Sequence, residues 1–304
     1  MQTPANGNLS SQGQTVTAVD NPSARSGKAV ARLLSLTKEA VILVCAALYS
    51  RYLWLTGRRF PKVVIYYHGV PARWSERFRR HMSFLAQHCN VVKPSEIHGA
   101  LPVNRPTVAI TFDDGFVSVE ETAVPILQEL NLVAGLFIPS GNLDGHPKWR
   151  MPEDSPDRGE RVMGPAQLRK LDTQGFEIGS HSLSHVELAS LGDEQLQIEL
   201  TRSKQVLKEV LGHEVRAISY PHGSCDERVR RTAEQSGYRF GFTIEPEPVD
   251  ASCPSLLIGR VAVSPEDSLF KFRLKATGAY QVHKHLMSLK RVATVPLRRI
   301  RAGR

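Results

Sequence analysis

The sequence predicts an α/β protein built on a parallel sheet, and three observations carry that expectation. From residue 61 onward, short β-branched and aromatic runs alternate with segments of helical period. At least six such runs fall within about 200 residues, which suits a barrel or a doubly wound sheet covered by helices. The polar residues His68, Asp113, Asp114, His181 and His222 stand where these runs end. In either architecture, chemistry gathers at the C-terminal ends of the strands.

The elements follow in order. Residues 63–67 are β-branched and aromatic and read as a buried strand ending at His68-Gly69; residues 107–112 form a second, ending at Asp113-Asp114-Gly115. A helix ending near Leu130 places Val124, Leu127 and Leu130 on one face, and residues 132–138 make a third strand. Residues 141–163 are a polar, Gly- and Pro-containing loop, long for a simple connection and suited to shaping substrate entry. Gly164-Pro165 opens a helix that Gly175 closes, and residues 176–180 are a strand delivering His181. Residues 193–211 carry a helical stripe of Leu196, Leu200, Leu207 and Leu211, stopped by Gly212. A strand at 215–220 ends at Pro221-His222-Gly223; a helix to Gln235, a strand at 238–243 and a last strand at 258–263 complete the pattern.

The flanks differ from this body. Residues 1–28 are rich in small polar residues and are expected to be disordered. Residues 29–60 contain an apolar run of about ten residues, where a span needs about 20, so a membrane-surface helix and an ordinary packing helix are both open. From residue 271 to the end there are ten Lys and Arg and no Asp or Glu, within a formal net charge of +9 for the 304 residues. The body is therefore near neutral, which argues against a nucleic-acid groove through it. The expected divisions are 1–28, 29–60, a domain at 61–267, and a basic extension at 268–304. No cleavable signal of the usual form is seen, so a cytoplasmic or peripheral membrane location is expected. Cys45, Cys89, Cys225 and Cys253 form no CxxC pair and read as buried free thiols.

Two clusters carry chemistry. Asp113-Asp114 places two carboxylates side by side, and such a pair needs a cation or a proton, unless it is only an Asp-Gly turn. His181 and His185 stand four apart, a spacing at which both imidazoles can face one cation or simply make loop hydrogen bonds. One carboxylate and two imidazoles leave positions open for water and substrate, and the other carboxylate is free to act as a base. His81/His88 and His283/His285 lack such context and read as surface histidines.

Thr111-Phe112-Asp113-Asp114-Gly115, His181-Ser182-Leu183-Ser184-His185 and Tyr220-Pro221-His222-Gly223 resemble the first three motifs of the polysaccharide deacetylases, the NodB-homology family or carbohydrate esterase family 4. Ile65 to His68, Glu199 to Lys204 and Gly237 to Thr243 agree with it, so the resemblance covers roughly residues 61–265. It implies a distorted (β/α) barrel and hydrolysis of N-acetyl groups from the amino sugars of a poly- or oligosaccharide. By motif, Asp113 is the implied general base, and Asp114, His181 and His185 hold a divalent metal, most often Zn²⁺. Tyr220, Pro221 and His222 are implied to contact the saccharide. Two departures matter. The arginine usual ahead of the third motif is Ser219 here, as in the branch that includes biofilm exopolysaccharide deacetylases; Arg260, at the expected last strand, is the candidate to orient Asp113, unless it is only a solvated or ion-paired arginine. The late Leu-x-Ile-His motif is missing, which favours His68 as the general acid with His222 as runner-up. Competing expectations are a deacylase of a lipid-linked sugar and a catalytically silent sugar-binding protein. The basic tail suggests an anionic membrane surface as a further partner.

Overall fold

The structure, a computed structural model, describes residues 41, 43–49, 51–52, 62–99, 105–153, 155–247, 249–250 and 252–279. The expectations for 1–28, for His283 and His285 and for the tail beyond 279 fall outside these residues.

Among the described residues, eight strands form one sheet: β1 (Lys62–Tyr67), β2 (Asn90–Val92), β3 (Thr107–Phe112), β4 (Gly135–Ile138), β5 (Glu177–Ser180), β6 (Ala217–Ser219), β7 (Phe240–Phe242) and β8 (Arg260–Ala262). Every strand pairing is parallel, in the order β7-β6-β5-β4-β3-β1-β8, with β2 beside the first half of β3. A parallel bridge from Phe242 to Ile258 lays the run entering β8 against β7, so the sheet curls into a nearly closed barrel. Helices α1 (Ser75–His88), α2 (Val124–Glu129), α3 (Pro165–Thr173), α4 (Asp193–Leu211), α5 (Glu227–Gln235) and α6 (Leu269–Ala276) surround it.

The pleat sorts the core into two sets, because successive side chains point to opposite faces. Ile65, Ile110, Leu136, Ile178 and Ile218 pack outward under the helices. Val64, Ala109, Phe137, Ala217, Phe242 and Ile258 form a separate cluster inside the barrel. Gly179 belongs to this inner set: a Cβ there would lie 2.5 Å from the Phe137 ring, so only glycine admits that ring.

The structure departs from the sequence-based expectation in several places. Between residues 69 and 106 no element was predicted, yet α1 and β2 lie there. The buried stripe of α1 is Phe78, His81, Met82 and Leu85, and the histidine in it disguises the apolar period. His81 is thus no surface residue. It is 0% exposed, stacks on Phe272 at 4.1 Å between ring centroids, and has both ring nitrogens engaged, with the Tyr67 hydroxyl (3.1 Å) and the Asp267 carbonyl (3.0 Å). His88 is exposed as expected. The extension expected from 268 begins with α6, whose Phe272, Leu274 and Ala276 are buried, so its first turns are part of the folded body. The third strand starts only at Gly135, because Leu132 still donates to the Leu127 carbonyl after the left-handed Asn131. All four cysteines are free, but only Cys89 is buried. Residues 43–49 are helical, and the Ala46 face packs against Leu274 and Ala279. Among the described residues, no helix is long and apolar enough to cross a membrane.

Candidate active site

Asp113 follows β3 directly, and its amide donates to the Tyr67 carbonyl at the end of β1 (2.9 Å). Its carboxylate falls in the barrel interior, where Arg260 of β8 meets it. Both terminal guanidinium nitrogens of Arg260 donate to it, at 2.8 Å to Oδ1 and 2.7 Å to Oδ2. The pair is almost fully buried, at 0% and 3% side-chain exposure. Arg260 Nη2 also donates to Ser219 Oγ (2.7 Å), Nη1 to Thr111 Oγ1 (3.2 Å), and Nε to the Thr243 carbonyl (3.0 Å). The guanidinium lies over the Tyr66 ring at 4.5 Å. Burial alone would raise the Asp113 pKa, but the Arg260 charge and hydrogen bonds outweigh it, helped by His181 and His68. The carboxyl is held well below the usual carboxylate range. Arg260 and Ser219 thus occupy one polar knot beneath Asp113.

Asp114 is its neighbour in sequence and its opposite in environment. Its backbone is left-handed (φ 67°), which turns the side chain away from Asp113 to the rim. Its Oδ1 is buried without a hydrogen-bond donor, 3.1 Å from His185 Nε2 and 3.5 Å from His181 Nε2. Burial raises its pKa, and the imidazoles of His185, His181 and His68 more than reverse this, so it too lies below the ordinary value. Candidate ligand atoms of Asp114, His181 and His185 all lie within 4.8 Å of one another.

The histidine loop is held from outside. His181 Nδ1 bonds the Ser219 carbonyl at 2.7 Å, which fixes the tautomer and leaves Nε2 with a free lone pair. Burial lowers the His181 pKa to about 4, so the ring is neutral at neutral pH, as a ligand must be. Buried Glu199 of α4 accepts from the amides of Leu183 and Ser184, both at 3.0 Å, and from the Ser184 hydroxyl. Ser182 (φ 60°) and His185 (φ 59°) are left-handed, conformations that non-glycine residues keep only when their surroundings enforce them. Trp149 stacks on the His185 ring at 4.5 Å.

Above these groups lies a cavity of about 330 Å³ lined by Tyr66, His68, Asp113, Asp114, His181, His185 and His222 on the barrel side. The loop adds Trp149, Arg150, Met151, Pro152, Ser155 and Asp157. The volume is that of a small-molecule site. His68 and His222 are exposed at its mouth. Tyr220 and Pro221, expected to contact saccharide, do not line it. Tyr220 is 0% exposed with its hydroxyl donating to the Leu256 carbonyl (3.0 Å), and Pro221 is buried beside it. Their place is structural, since the strand ends with its side chains turned into the core. Only His222 of that motif reaches the cavity.

Residues 100–241 match the family model described as polysaccharide deacetylase. Over these residues the chain is similar to the polysaccharide deacetylases. YxkH of Bacillus subtilis (strain 168), named for the same family, is 28% identical over 223 residues, covering 70% of this chain and 75% of that protein. The poly-β-1,6-N-acetyl-D-glucosamine N-deacetylase of Staphylococcus aureus (strain N315) is 23% identical, and the match spans 56% of this chain and 58% of that protein's length. Among solved structures, IcaB from Ammonifex degensii superposes with a TM-score of 0.60 at 24% identity, covering 73% of this chain and 97% of that one. The Streptococcus pyogenes deacetylase PplD gives a TM-score of 0.61 at 18% identity, covering 72% and 99%. These two likenesses establish the fold, a distorted (β/α) barrel of the NodB-homology type. Around this site, sequence patterns alone did not single out Trp149 and Asp157, which sit in the aperiodic loop. The only signal was the length of that loop beside a site.

Proposed function

We propose that this protein is a divalent-metal-dependent hydrolase that removes N-acetyl groups from amino sugars of a poly- or oligosaccharide. The observation that carries this is the contrast at residues 113 and 114. One carboxylate is locked to a buried arginine. The other presents an unpartnered oxygen to two imidazoles, so the donor set fits a cation. Asp114, His181 and His185 would hold it, and Zn²⁺ suits one carboxylate with two imidazoles. The ion, when bound, supplies Lewis acidity at the acetamide carbonyl and lowers the pKa of water.

The chain's own residues do the rest. Arg260 keeps Asp113 ionised and aims it at the cavity, so that Asp113 accepts the proton of the attacking water. Trp149 and the loop around it wall one side of the cavity beside the reacting amide. His68, at the mouth, delivers a proton to the departing amine, and His222 stands on the opposite flank against His185 (4.7 Å between centroids).

The test is acetate release from N-acetylglucosamine oligomers, with and without chelator and added Zn²⁺. Asp113→Asn is expected to lower kcat by about 10²- to 10⁴-fold while metal content stays at the wild-type level. Deacetylation unchanged in that variant would overturn the assignment. His68→Ala is expected to cost more in kcat than His222→Ala, and the reverse order would move the acid to His222.

A further inference from the structure

We propose that the outer face of the helical residues 43–49 and 51–52, together with Phe270, seats this protein on an anionic lipid surface. The helix has two faces of unlike fate. Ala46 is 2% exposed and packs with Leu43, Ala47 and Tyr49 against Leu274 and Ala279. The other face carries Val44, Leu48 and Tyr52, exposed to 60%, 64% and 43%. Their spacing of four places them in one line along the helix. Phe270, 54% exposed, stands one turn before Leu274 on α6, the helix on which the inner face rests. Large apolar side chains aligned in this way, outside a packed core, mark an interaction surface.

Charge identifies the occupant. Arg51 is exposed beside Tyr52, and Arg273 is exposed one turn from Phe270. In sequence, residues 25–38 hold Arg25, Lys28, Arg32 and Lys38 without an acid, and residues 51–62 hold Arg51, Arg58, Arg59 and Lys62 without one. Residues 280–304 hold seven Lys and Arg and no Asp or Glu. An apolar stripe flanked by basic residues is the pattern of a helix lying in a headgroup region, with its apolar side chains among acyl chains and its cations on phosphates. A second copy of this chain would bring like charges together, and a nucleic acid would leave Val44, Leu48 and Tyr52 in water. The apolar run is about ten residues, where crossing the bilayer needs about 20, and that length suits shallow insertion.

The experiment is flotation of the full chain with phosphatidylcholine vesicles, with and without phosphatidylglycerol, comparing wild type with the pair Val44→Glu and Leu48→Glu. Wild type is expected to float with the anionic vesicles and not with phosphatidylcholine alone. The paired variant is expected to lose at least about tenfold in partitioning, and Phe270→Glu to lose less. Acetate release from a soluble oligomer should be unchanged in both, which certifies their folding. Equal flotation of wild type and paired variant would overturn the proposal, because basic charge alone would then explain binding. So would no flotation of wild type, or a lipid-free dimer that the same variant disperses.

Discussion

Two buried histidines, one below the barrel wall and one at its rim, look alike by burial and differ in everything else. His81 and His181 are 0% and 3% exposed, and burial lowers the pKa of each to about 4. His81 has both nitrogens engaged, by Tyr67 and Asp267, and is complete as it stands. His181 has one nitrogen engaged, by the Ser219 carbonyl, and the other facing Asp114. Burial and a depressed pKa therefore do not distinguish a structural histidine from a candidate ligand. The unused nitrogen, and what it faces, does.

Removing each ring is the sharpest way to break this comparison. His181→Gln is expected to lose bound zinc by elemental analysis and to reduce acetate release to background, with the fold retained by circular dichroism. Retained zinc would erase the distinction. The next effect lies beneath the rim. Arg260→Met leaves Asp113 as an uncompensated buried charge and is expected to destabilise the protein by about 3–5 kcal/mol in urea unfolding. A loss below about 1 kcal/mol would mean that the knot is not dry. His81→Phe removes a partner of the Tyr67 hydroxyl and is expected to cost about 1–3 kcal/mol, with zinc content and activity unchanged.

The same residue sets a pH dependence. The folded pKa of His81 lies below the ordinary histidine value, so between pH 6.5 and about 4 the unfolded chain binds the extra proton. The contribution of neutral His81 is complete above that window and declines as the pH falls through it. Stability measured across this range should fall more steeply for wild type than for His81→Phe. Parallel slopes would show that the ring is not held neutral.

Much of this site was legible from sequence because chemistry-bearing residue types stand where apolar runs stop. Asp113 and Asp114 follow a strand whose β-branched composition is unambiguous, His181 ends the short run after Gly175, and the 193–211 helix has both its stripe and its stop. Arg260 could be suspected because Ser219 occupies the position where an arginine was expected. What sequence did not carry is what only the closed sheet brings together. Arg260 lies on β8 and Asp113 just past the end of β3, with β1 between these strands, and only the inward pleat they share aims the two side chains at one point. Helix α1 was hidden because its stripe includes a histidine, whose burial depends on α6 far along the chain. Tyr220 and Pro221 were misplaced because a motif names neighbours in sequence, and alternation sends consecutive side chains to different sides of a strand.

The long loop has a consequence for how this protein could acquire new substrates. Asp157 Oδ1 would lie 2.8 Å from a Cβ on Gly69, so the loop settles onto the first strand's end through the space of a missing methyl group. A larger residue at position 69 would push the Asp157 carboxylate aside and reshape that edge of the entrance. The Asp113–Arg260 knot and the histidine loop, anchored in the barrel and on Glu199, would stay where they are. Entry and chemistry are thus separately adjustable, and the width of the doorway can drift by single substitutions without retuning the machinery behind it.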